Sequence, residues 1–206
     1  SIIAGIARAQ SGFRFGYNDM AFIIVSEEDQ TVALTNSYSE FIDNHQYDYT
    51  LAYKGILVIP STGTYNNKSY TVVEIGQNAF YNSSITEVTI PASVTLINGG
   101  FLDANSSPEK IILEDGFKTL EINSGSLFGF AKEWYLGRNI VWQGNRLDDR
   151  NDFSFIFQNA NKIVVSDAVT KLHEYQFADN QQNLKTLILG NGIKEIPANL
   201  CSGCYN

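Results

Sequence analysis

Four times along the chain a strand-like apolar triplet ends in an aliphatic residue that is followed, seven places later, by a second one. The pairs are Ile90 and Ile97, Leu113 and Leu120, Val165 and Leu172, and Leu189 and Ile196. An apolar residue also stands four places after each triplet, at Val94, Phe117, Val169 and Ile193, so whole segments repeat and not single letters. Triplet ends are separated by 23 residues (Ile90 to Leu113), 23 (to Leu136), 29 (to Val165) and 24 (to Leu189). Repetition at such a pitch predicts a solenoid. One coil cannot bury its own apolar face, so successive coils must stack and share a continuous core.

Alternate residues of a strand point to opposite faces. If Val88/Ile90, Ile111/Leu113, Trp134/Leu136, Ile163/Val165 and Leu187/Leu189 face the core, then Thr89, Ile112, Tyr135, Val164 and Ile188 form a stripe on the outer face of the sheet. An exposed apolar stripe is a candidate binding surface, although strands favour β-branched and aromatic residues on either face. Beside it stand Glu87, Lys110, Glu133, Lys162 and Thr186, whose alternating sign predicts ion pairs between neighbouring strands.

Residues 11–54 do not follow the repeat. Phe13, Phe15 and Tyr17 alternate, residues 21–25 read as a strand, and residues 31–35 as its return, which predicts an N-terminal β cap over the open end of the first coil. Residues 37–48, polar and aromatic, carry no periodicity that assigns them. The repeats occupy residues 55–206 as about six coils, the last one incomplete. The first coil is lengthened by a hairpin turning on Asn66-Asn67. Residues 1–10 read either as the remnant of a secretory signal, ending in an A-x-A pattern, or as a first strand. The last copy stops before its strand, so further repeats or a cap are expected beyond Asn206.

The 29-residue spacing marks an insertion at residues 144–161. It holds Asp148, Asp149 and Asp152, but Arg150 falls where a calcium loop needs a ligand, which disfavours a metal. A solvated loop with its phenylalanines packed beneath is expected. Repeat insertions often mark a binding face, so these three carboxylates stand beside the stripe as candidate binding residues.

A formal net charge of -8, with no basic run, disfavours nucleic acid and polybasic membrane contact. No stretch is long enough for a membrane-spanning helix. The 2 cysteines, Cys201 and Cys204, have no ligand cluster near them and read as small core residues. Nucleophile-elbow, phosphate-loop and zinc-protease motifs are absent, and no catalytic residue or cofactor is expected.

The segments Val72-Val73-Glu74-Ile75-Gly76-Gln77-Asn78-Ala79-Phe80 and Ile85-Thr86-Glu87-Val88-Thr89-Ile90-Pro91 closely resemble the BspA-like leucine-rich repeats of bacterial surface proteins. Residues 26–35 and the 65–70 hairpin are similar to the cap that precedes such repeats in gut and oral Bacteroidetes, and the likeness spans roughly residues 13–204. The resemblance implies a β-dominated solenoid, a right-handed superhelix of parallel strands behind a β-rich cap. It also implies an extracellular or cell-surface protein whose relatives adhere to host proteins or other bacteria, with no catalytic residues. Non-catalytic recognition of a protein or glycan is therefore the expected function. The alternatives are an architectural spacer and an accessory module of a larger secreted enzyme.

Overall fold

The computed structural model of the chain describes residues 11–98, 108–123, 131–143, 154–174, 176–177 and 183–205. The apolar alternation after residue 12 gives three strands, β1 (Arg14–Tyr17), β2 (Met20–Ser26) and β3 (Thr31–Thr35), paired as an antiparallel meander. Its first turn uses Asn18 and Asp19 at φ of 48° and 60°, the left-handed conformation a two-residue hairpin requires. Phe15, Phe22, Ile24, Val32 and Leu34 face inward and are buried. Next come β4 (Ser37–Ile42) and β5 (His45–Thr50), a separate hairpin turning on Asp43 and Asn44. This is the stretch that periodicity leaves unassigned. Most of it faces solvent, so no alternation of burial was written into its sequence.

The coils then build two walls. One is a parallel six-stranded sheet of β6 (Lys54–Val58), β9 (Ser84–Ile90), β11 (Lys110–Leu113), β13 (Glu133–Leu136), β15 (Lys162–Val165) and β16 (Thr186–Leu189). The other wall runs through β8 (Lys68–Ile75), β10 (Leu96–Ile97), β12 (Leu120–Asn123) and β14 (Ile140–Gln143) and is continuous with the cap, because β3 pairs with β8 in parallel. Strand β7 (Thr62–Tyr65) folds back on β8 through the expected Asn66-Asn67 turn. Ile90, Ile97, Leu113, Leu120, Val165 and Leu172 are buried between the walls. Fully burying an aliphatic side chain is worth about 1.5–3 kcal/mol, so these repeated positions carry the fold.

A single tyrosine ties cap to coil. The Tyr53 hydroxyl donates to the Thr35 carbonyl (2.6 Å) and accepts from the Ala21 amide (3.1 Å). The Tyr53 backbone meanwhile bonds Ser83 and Ser84 of the next coil. Burial pushes its phenol pKa up to about 12, against the pull of the Ala21 N–H.

Two repeat positions depart from the pattern. Phe117, expected in the core beside Val94 and Val169, is fully exposed, whereas those two are buried. The space beneath its turn is taken by Arg138, only 1% exposed, whose guanidinium donates to the carbonyls of Pro91 (2.9 Å), Ala92 (2.8 Å) and Val94 (2.7 Å). Gly116 lies against this side chain: a Cβ there would be in ordinary contact with Arg138 Cδ (3.8 Å) and would crowd only the Ala92 Cβ (3.1 Å). Burial lowers the guanidinium pKa to about 10, with the Glu114 carboxylate opposing, so it stays charged at neutral pH. Ile196, paired by periodicity with Leu189, is also exposed.

The insertion closes with a short helix, α1 (Ser154–Phe157), and Phe157 packs edge-on between Trp134 (4.9 Å between centroids) and Phe177 (5.1 Å). At least this phenylalanine lies in the core. Asp148, Asp149 and Asp152 lie outside the described residues, as do residues 1–10.

Candidate functional site

The outer face of the six-stranded sheet is built by strand alternation alone. Register pairs Thr89 with Ile112, Ile112 with Tyr135, Tyr135 with Val164 and Val164 with Ile188, without a slip. All five side chains therefore share one row, perpendicular to the strands. The row also includes Val58 on β6, paired with Thr89 and absent from the sequence-based set. The mirroring of residues 56–60 and 87–91 was the signal that could have found it. At about 4.8 Å per strand, six members span roughly 24 Å. Val58 and Ile188, at the two edges, are exposed, and the four between them are partly buried by their neighbours.

Tyr135 is the one aromatic member of the row, and its polar end is anchored. Its hydroxyl donates to Asp115 Oδ1 (2.9 Å), and burial, followed by that bond, raises its pKa. The ring is therefore held from the coil turn that precedes it, as an aromatic anchor must be if it is to contribute area at low entropic cost. Asp115 was not legible as its partner, since the two are 20 residues apart in sequence.

Two and three residues before the row, within or just before β9, β11, β13 and β15, lies a lattice of opposite charges. Lys110 meets Glu87 (3.4 Å), Lys162 meets Glu133 (3.7 Å), and Lys132 meets Glu109 (3.3 Å). A depression of about 260 Å³ lies among them. All six side chains are solvated, so each pair contributes about 0–1 kcal/mol and serves register more than stability. The lattice is electrically balanced and leaves the apolar row with a polar border but no net field.

Among the described residues no three His, Cys, Asp or Glu side chains gather as a metal would require. His173, half-buried, points Nε2 at the Ile140 carbonyl (3.1 Å), and burial lowers its pKa. Cys204 Sγ bonds the Phe177 carbonyl (3.1 Å), and burial pushes the Cys201 thiol up to about 11, which fits thiols used for packing. No described helix is long and apolar enough to cross a membrane.

The family model for the BspA type leucine rich repeat region, given with 6 copies, matches residues 64–131 and 138–206, about two thirds of the chain. The chain belongs to the BspA-type leucine-rich repeat family. Its solenoid is similar to that of a leucine rich cell surface protein from Faecalibacterium prausnitzii, at 17% identity and a TM-score of 0.47, with 89% of this chain and 44% of that one covered. The pneumococcal vaccine antigen PcpA is similar at 14% identity and a TM-score of 0.34, over 89% of this chain and 72% of that one. No curated protein matches.

Proposed function

We propose that this BspA-type protein is an extracellular adhesion or recognition module that binds a protein or glycan through the outer face of its six-stranded sheet. One observation carries the reading. Five strands in unbroken register, with β6 joined to them beyond a bulge at Gly55 and Ile56, align Val58, Thr89, Ile112, Tyr135, Val164 and Ile188 into a largely apolar row beside a charge-balanced lattice. An apolar centre with a polar border is the composition of protein interfaces, and an anchored tyrosine is a typical hot spot. Asp148, Asp149 and Asp152 belong to the same proposal as an adjoining part of the binding face.

The test compares the chain with its Tyr135→Ala variant for binding to intact bacterial cells and to immobilised host matrix proteins. Binding should weaken by about 1–2 kcal/mol in the variant, with the melting temperature nearly unchanged. Equal loss of folding and binding would assign the row to packing, and binding that ignores every substitution in the row would favour an architectural spacer.

A further inference from the structure

A second recess lies on the opposite wall, where the cap joins the first coil. Register places Arg14, Ile23, Ala33 and Glu74 in one outward row across β1, β2, β3 and β8. The next outward row is Gly16, Ala21 and Thr35, which leads to Gly76 just beyond β8. Short side chains in the middle of both rows, at Ala33, Thr35 and Gly76, sink the floor between taller neighbours. The result is a cleft of about 380 Å³, walled by Ile23 and Val25 on one side and by Glu74, Gln77 and Asn78 on the other. That volume falls at the lower end of the range for small-molecule sites.

The chemistry of the lining narrows the occupant. Arg14 at one end is held by the Ser37 hydroxyl of β4, and Glu74 at the other is held by the Asn98 amide. The charges at the two ends cancel. An anion would meet the Glu74 carboxylate, a cation would meet the guanidinium, and an apolar molecule would strip water from a half-buried carboxylate without replacing its hydrogen bonds. Burial already raises the Glu74 pKa, with the Asn98 amide opposing, so the carboxylate gains from each new donor. Thr35, Gln77 and Asn78 add a hydroxyl and two carboxamides, while Ile23 and Val25 offer a hydrocarbon wall. A neutral molecule with several hydroxyls on one edge and C–H groups on one face satisfies every part of the lining.

We infer that this cleft is a sugar-binding site, taking one or two neutral hexose or N-acetylhexosamine residues with Glu74 as the main hydroxyl acceptor. It is separate from the six-stranded face and does not depend on the function proposed for that face.

The test titrates the 15N-labelled full chain with glucose, galactose, mannose, N-acetylglucosamine and the disaccharides cellobiose and chitobiose at millimolar concentration. At least one should give saturable amide shifts confined to Ile23, Val25, Ala33, Thr35, Gly76 and Gln77. Glu74→Ala should weaken that binding at least tenfold. Ala33→Phe, which fills the floor from the solvent side, should abolish it, and Tyr135→Ala should leave it unchanged. Should either cleft variant fail to fold, Glu74→Gln, which keeps the side-chain shape, should still weaken binding several-fold. The inference is overturned if no sugar produces shifts, if the shifts map to the six-stranded face, or if correctly folded cleft variants bind as the unaltered chain does.

Discussion

Tyr53 joins three segments through one phenol, so its removal should be felt beyond its own size. Tyr53→Phe keeps the ring against Phe80 (5.8 Å between centroids) but leaves the Ala21 amide and the Thr35 carbonyl short of a partner. The expected loss is about 1–3 kcal/mol, read by chemical denaturation. The same phenol sets an alkaline limit. Its folded pKa, about 12, lies above the unfolded value, so the folded state holds the proton more tightly. That stability is complete below about pH 10 and falls away as pH rises towards 12, by about 2–3 kcal/mol in all. Tyr70, whose phenol burial also pushes up to about 12, titrates in the same window. Melting between pH 9 and 12 should therefore be less steeply pH-dependent in Tyr53→Phe, though not flat. Arg138 poses the opposite problem, a buried charge whose two terminal nitrogens donate to carbonyls while its Nε is left without a partner among the described residues. Arg138→Met removes the donor to three carbonyls in the turn two coils away, and should cost about 2–4 kcal/mol by urea denaturation. A loss below about 0.5 kcal/mol would mean that Phe117 moves in and restores the ordinary corner.

At the scale of elements, the β4–β5 hairpin is the most weakly attached piece of the cap. Two strands alone are marginal in water, and this pair leans on the rest chiefly through Tyr38, whose ring stacks on Tyr49 (4.8 Å) and lies over Gly16. A Cβ at Gly16 would come within 2.5 Å of the Tyr38 ring. Gly16→Ala should therefore loosen the hairpin while barely moving the global melting temperature, and hydrogen exchange should speed up at the β4 and β5 amides alone. The coils were legible in the sequence because each buries the same positions of the same triplet, so burial leaves a period. The hairpin was not, since its residues face water and local alternation encodes nothing about them. Phe117 was misplaced for a related reason: its corner is filled by Arg138 from the following coil, and a pattern read within one coil cannot see a side chain arriving from another. The outward row was legible except for Val58, which pairs with Thr89 just after a register irregularity between Gly55 and Ile56 that interrupts the start of its strand. The cleft on the cap was invisible, as its lining comes from four strands and a turn separated by up to 64 positions in the chain, from Arg14 to Asn78.

For the molecule as a whole, the described strands of each coil pair only with those of the coils beside it, through rows of parallel hydrogen bonds that lie along the stacking direction, and Arg138 reaches one coil further. A tether pulling the two ends apart loads those rows one after another, as a zipper is opened, and never all together in shear. Each coil that peels away frees about 23 residues of contour, roughly 75 Å at full extension less the strand spacing it occupied. Optical-trap extension should accordingly give a sawtooth of low, nearly equal steps of about that length, and one large cooperative rupture would contradict it. The coil carrying residues 144–161 should give a longer step. A chain of this design yields gradually under load and shortens again when the load is released, a spring whose travel is set by the number of its turns.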